Sequence, residues 1–205
     1  MPYHTMSGED ATLALTLEVT KEISRELLAV IVEMDHAAYP PEDQMTWDRA
    51  EMIYTYLQDS LILLREDGRL IGFLSIYAVS PELVLIAVKR QCPIFLAEEK
   101  HHLMQCVTPP VEGYLHNIIM HPDLRGRGYR RYLYLGLRHW LNSRPGISHI
   151  WADAVSEHGQ RALAAIGLVP YPELKGLWGG SMQSVLQALD GNLAGWDWEK
   201  DVTIL

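Results

Sequence analysis

Basic residues are scarce in this chain: 17 Lys and Arg stand against 26 Asp and Glu, a formal net charge of −9. Nucleic acid and anionic membranes are held by broad positive fields, so the balance argues against general binding to either. It is compatible with cationic or amine ligands. Cysteine is scarcer still. Cys92 and Cys106 are not in CxxC spacing and no His pair stands at finger spacing, so no metal site is expected and the thiols are read as reduced. Long apolar runs are missing; LVLIAV, residues 83–88, is far too short to span a bilayer. The opening MPYHTMSGEDA has neither the basic start nor the apolar stretch of a signal peptide, and a cytoplasmic location is expected. Repeats and low-complexity tracts are absent too. What is there is 205 residues, 48% of them hydrophobic, enough for the core of a single domain.

The apolar pattern predicts alternating strands and helices. TLALTLEVT (12–20) reads as a strand, and residues 21–38 as a helix stopped by Pro40-Pro41. Thr46 caps a second helix, and Asp67-Gly68 joins two β-like runs as a hairpin. Residues 81–111 hold apolar pieces without a clean period and read as an insertion or lid. GYLHNIIM reads as a strand, HPDLRGRG as a loop, and YRRYLYLGLRHWLNS as a buried helix. SHIWADAV is another strand; Ser156 caps the next helix and Gly167 stops it. After about residue 176 comes an extension with a turn at Gly179-Gly180, a helix SMQSVLQAL and a closing strand in WDWEKDVTIL. The order predicts an α+β (mixed α/β) domain over residues 1–205.

The basic charge is uneven. Arg125, Arg127, Arg130, Arg131, Arg138 and Arg144 crowd residues 121–144 against one acid, Asp123. Strand, glycine loop and helix together aim backbone N–H groups and a positive helix end at one spot, which suits phosphate. The loop is not a P-loop, since no GKS or GKT follows, and not a dinucleotide fingerprint. IIMHPDLRGRGYRRYLYLGL instead resembles the acetyl-CoA-binding motif of the GNAT N-acetyltransferase superfamily, Q/R-x-x-G-x-G/A opening a helix, with Arg125 and Gly128 in its first and fourth places. SHIWADAVSEHGQRALAAIGLVPY resembles the next block of that family, and LIGFLSI its early hairpin. Two positions depart from the pattern. Arg130 stands where Gly or Ala is usual, and Leu163 stands where many relatives carry a Tyr that protonates the leaving thiolate.

The resemblance implies a central mixed, mostly antiparallel sheet flanked by helices, and transfer of acetyl from acetyl-CoA directly to a primary amine of a small molecule or peptide. It implies a cofactor set of Ile119, Met120, Arg125, Gly126, Arg127, Gly128, Tyr129, Arg130, Arg131 and Ser156, with the acetyl carbonyl near Ile119 and Met120. Strand alternation puts Tyr114, His116, Ile118 and Met120 on one face. Relatives often keep a Glu on the face that here carries Tyr114 and His116, so His116 is the first candidate base and Asp153 the second. Tyr129, Tyr132 and Tyr171 are candidate acids, with Tyr171 kept in the catalytic set. His116 and Asp153 also admit plain packing roles, and His101-His102 reads as surface. Two rival functions stand beside this one: a non-catalytic acyl-CoA-binding regulatory module, favoured by Leu163 and Arg130, and an RNA binder using RGRGYRRY, opposed by the net charge. The Trp-rich tail with Trp178, Trp196 and Trp198 is a candidate homodimer surface.

Overall fold

The computed structural model describes residues 14–57, 59–103 and 111–205. Cys106 and residues 1–13 lie outside them; Cys92 is a free thiol. Eight strands form one sheet: β1 (Leu15–Thr20), β2 (Leu61–Glu66), β3 (Arg69–Val79), β4 (Val111–Met120), β5 (Ile147–Asp153), β6 (Val169–Pro170), β7 (Leu177–Ser181) and β8 (Val202–Ile204). Their spatial order is β6-β7-β5-β4-β3-β2-β1-β8. Only β4 with β5 and β1 with β8 run parallel; the other pairs are antiparallel. Seven helices cover the faces. On one lie α1 (Arg25–Ala38), α2 (Trp47–Tyr56), α3 (Pro81–Arg90) and α4 (Ile94–Ala97). On the other lie α5 (Arg130–Asn142), α6 (Glu157–Ala165) and α7 (Met182–Leu193). The core is therefore two apolar layers separated by the sheet, as a sheet with both faces covered requires.

Local chemistry sets most boundaries. Ser24, Thr46, Ser156 and Ser181 each accept a backbone N–H with the side-chain oxygen and start α1, α2, α6 and α7. Asp67 and Gly68 both take positive φ, the turn that matches the twist of the β2–β3 hairpin. Helix α5 buries Tyr132, Leu133, Leu135, Leu137, Trp140 and Leu141, each worth about 1.5–3 kcal/mol of burial.

One expectation is corrected. Gly179-Gly180 is no turn: both lie in β7, because the Trp151 ring of β5 occupies the space a Cβ on Gly179 would need. The segment from residue 81 is more regular than its period suggests. Ser80 and Pro81 begin α3, Lys89 and Arg90 end it, and Leu83, Val84, Ala87, Ile94 and Ala97 are buried against the sheet. Trp178, Trp196 and Trp198 are half-buried and pack against the α5-side core. No helix among the described residues is long and apolar enough to cross a membrane.

Candidate active site

Strand β4 leads from a fork in the sheet to the glycine loop. In the loop, hydrogen bonds run from Leu124 N to His121 O, Arg125 N to Pro122 O and Arg127 N to Leu124 O, then resume at Arg131 N to Gly128 O and Tyr132 N to Tyr129 O. No carbonyl among the described residues accepts the N–H of Gly126, Gly128, Tyr129 or Arg130. Gly126 and Gly128 take φ of 78° and 86°, which side-chain-bearing residues adopt only with strain. A Cβ on either would meet nothing within 4 Å, so the free amides line open space. They sit at the positive end of α5, a cradle fitted to a phosphate anion.

The arginines divide into two sets. Arg125, Arg127 and Arg130 are exposed around the cradle. Arg125 turns its Nε back to Met120 O at 3.4 Å, and the Arg130 guanidinium lies 5.4 Å over the Tyr134 ring. Arg131 is held by the tail, 4.1 Å over Trp196 and 3.5 Å from Asp201. Arg138 pairs with Asp190 and Arg144 with Asp59, as solvated or paired side chains. Tyr129 donates to Glu66 at 2.7 Å and fastens the loop to the hairpin.

The fork lies halfway along β4. Pairing with β5 stops at Leu115↔Ala152, while pairing with β3 continues to Met120. From His116 to Met120 the other edge of β4 has no strand partner among the described residues. At the same point the register against β3 skips from Leu115↔Ile76 to Asn117↔Ser75, leaving His116 as an extra residue. The bulge overturns simple alternation. Tyr114, His116, Asn117 and Ile119 face the α1–α4 layer, whereas Ile118 and Met120 face the α5 layer.

His116 and Asp153 follow the last pair on their strands and stand together at the fork. Tyr114 joins them: its hydroxyl donates to Asp153 Oδ2 at 2.7 Å and its ring lies 5.7 Å from the His116 ring. Ile94 N–H, at the start of α4, donates to the same oxygen at 2.8 Å. Burial drives the Asp153 carboxyl up to about 6 against these donors. Burial and the nearby Arg49 charge push His116 down to about 3, although part of its ring reaches the cleft surface. Above the fork, Arg49 of α2 donates to Glu98 at 2.9 Å and lies 5.5 Å over the Phe95 ring. Burial raises the Glu98 carboxyl, opposed by Arg49. Beside this cluster Asp35 of α1, fully buried, accepts Met45 N at 2.7 Å and Asn117 Nδ2 at 3.1 Å, tying the α1–α2 connection to β4.

The remaining predicted residues are dispersed. Ser156 spends its oxygen on the α6 cap, accepting Gly159 N at 3.1 Å. Tyr171 packs edge-on against Trp151 at 5.2 Å. Leu163 is core on the α5 side, and Tyr132 is buried edge-on to Trp196. His101 stands exposed, but His102 is buried and accepts Glu99 N with its Nδ1. Arg49, Tyr77, Phe95 and Glu98 were not read from the sequence as site residues. Their elements are far apart in the chain, and no local spacing marks them. A separate recess of about 1360 Å³ lies at the opposite end of the sheet, among Lys21, Asp59, His139 and Arg144, away from the cradle; Tyr77 also lines it.

The mixed sheet is covered on both faces and forks along β4 ahead of the glycine loop. A model of the acetyltransferase (GNAT) family matches residues 28–166, and the chain belongs to that family. Solved structures agree on the fold. A mosquito arylalkylamine N-acetyltransferase-like protein, 5b, is 14% identical over 82% of this chain and 100% of its own, with a TM-score of 0.53. The loading GNATL domain of CurA from Lyngbya majuscula is 11% identical over 86% and 83%, and Ard1 from Thermoplasma volcanium 10% over 82% and 97%, both at 0.53. No curated protein sequence matches the chain.

Proposed function

We propose that the protein transfers acetyl from acetyl-CoA to a primary amine by direct attack at the fork. The observation that carries this reading is the juxtaposition on one strand of an anion cradle at its end and an unpaired edge leading back to two ionisable side chains. The amides of Gly126, Gly128, Tyr129 and Arg130 hold the pyrophosphate, with Arg125, Arg127 and Arg130 adding charge. Arg130, stacked over the Tyr134 ring, is taken to add to that charge without filling the cradle. The free β4 edge near Ile119 and Met120 takes the pantetheine arm, and a backbone N–H there polarises the thioester carbonyl.

Asp153, not His116, serves as the base. A carboxylate near 6 is ionised at neutral pH and can hold a proton briefly, whereas an imidazole near 3 cannot. The amine arrives as the ammonium ion and gives Asp153 one of its three protons. Its lone pair then forms the N–C bond, and the C–S bond breaks with its electron pair on sulfur. The second proton on nitrogen passes to sulfur, directly or through solvent, and Asp153 returns its own to solvent. Solvent delivery makes a dedicated phenol unnecessary, in keeping with Leu163.

Thiol release from acetyl-CoA across a panel of primary amines tests the reading. Wild type should release CoA only with an amine present, and the fall of kcat/KM below about pH 6 should approach tenfold per unit. Asp153→Asn should lose that limb and most of the turnover. Tight acetyl-CoA binding with no release for any amine would favour the regulatory-module reading instead.

A further inference from the structure

Among the buried polar atoms with no hydrogen-bond partner among the described residues are Glu98 Oε1, His116 Nδ1, the Tyr77 hydroxyl and Arg49 Nε. They belong to one cluster. The Tyr77 ring is 6.0 Å from His116 and 5.6 Å from Tyr114, Phe95 is 6.5 Å from His116, and Arg49 joins Glu98 to Phe95. The Tyr77 hydroxyl sits beside the Glu98 carboxylate without a hydrogen bond of ordinary geometry. Each buried polar atom left unpaired costs about 1–3 kcal/mol, so several of them in one cluster point to a ligand that completes them.

The unpaired set has a definite character. Glu98 Oε1 and the lone pair of neutral His116 Nδ1 accept hydrogen bonds, and the Tyr77 oxygen can do so. Three acceptors match the three N–H bonds of a primary ammonium. The rings of Tyr77, Tyr114 and Phe95 add faces that attract a cation. The charges agree: Glu98 and Asp153 stand against Arg49, which is already engaged by Glu98. A carboxylate beside the nitrogen would face Glu98 and Asp153, and Arg49 already gives its Nη2 to Glu98 at 2.9 Å, leaving only its Nε free.

We propose that Glu98, Tyr77 and His116 form an ammonium-binding subsite that selects a primary amine with an apolar body and no carboxylate next to the nitrogen. This rests on the amine-acetylation reading and names the acceptor class for it. Glu98 and Phe95 come from the segment between β3 and β4, so that segment is the specificity element. Phe95 is partly exposed beside Arg49 and His116.

Equilibrium binding in saturating CoA tests the subsite without requiring turnover. The probes share one chain: pentylamine, 1-pentanol and norleucine. Calorimetry on wild type should show pentylamine bound at least tenfold more tightly than either analogue. Glu98→Gln keeps an acceptor for Arg49 and should lose at least tenfold of that affinity. Tyr77→Phe removes an unpaired hydroxyl, so folding should be undisturbed while pentylamine binding weakens several-fold. Equal binding of pentanol or norleucine, no pentylamine binding by wild type, or wild-type affinity in both variants would each overturn the proposal. Failure of the acetyltransferase reading looks different: pentylamine and CoA bind together as expected, yet no thiol appears.

Discussion

The two sides of β4 are built from different materials. The cradle on the α5 side is backbone: four amides free because two glycines take positive φ within a few consecutive residues. The cluster on the α1–α4 side is side chains: α2 supplies Arg49, β3 Tyr77, β4 Tyr114 and His116, β5 Asp153, and the segment after α3 Phe95 and Glu98. A backbone site depends on local conformation and tolerates changes of side chain around it. A side-chain site depends on every element that converges on it, and a loss anywhere leaves buried groups unpaired. The first is suited to a constant ligand and the second to a particular one.

The sharpest way to break this contrast is Gly128→Val. The new side chain enters the space the amides face and must hold a positive φ. Acetyl-CoA affinity by calorimetry should fall more than about 100-fold, while unfolding free energy drops only about 1–2 kcal/mol. Retained affinity would mean that the cradle is not made by the backbone. Asp35→Ala is the counterpart on the other side. It strands Met45 N–H and the Asn117 amide in the core, so urea denaturation should show a loss of about 2–4 kcal/mol with acetyl-CoA affinity nearly unchanged.

Asp153→Asn sharpens the comparison through pH. The folded chain holds the Asp153 proton up to about 6, whereas the unfolded chain loses it near 3.8. Wild-type stability therefore falls as pH rises through that window and stays lower above it. Asparagine can accept the Tyr114 and Ile94 bonds without the charge. The variant should match wild type near pH 3 and exceed it by about 1–2 kcal/mol at pH 7, a figure discounted for solvent reaching the group. Equal stability at both pH values would show that the carboxyl is not strained by burial. The smallest effect is expected at Arg127. Its charge is exposed, so Arg127→Ala should weaken acetyl-CoA only about two- to fivefold, and about 0.5 M salt should erase the difference.

The same contrast explains what the sequence made legible. Caps, the Asp-Gly hairpin and the glycine loop are signals carried by neighbouring residues, and Thr46, Ser156, Asp67, Gly68 and Gly128 could be read directly. His116 and Asp153 were legible because each sits on a recognisable strand. The bulge at His116 was not, since the extra residue is defined only by the register of β3 beside it. Gly179 misread for a similar reason: the Trp151 ring that excludes a side chain there comes from another strand. Glu98 and Arg49 are 49 positions apart, and only the packing of α4 onto the sheet makes them partners. For α3 a signal was present, Ser80-Pro81 ahead and Lys89-Arg90 behind, although the apolar period was poor.

The three residues of β8 also decide how the molecule behaves in a crowd. They cover β1 in parallel register from Leu15 to Leu17, and Leu205 N–H bonds Leu17 O. The sheet thus ends in three residues on one side and in Val169-Pro170 on the other, where proline has no N–H to offer. Such short borders give a neighbouring chain little to zip onto. Trimming residues 197–205 would bare all six residues of β1, and turbidity in concentrated solution is where that exposure would first register.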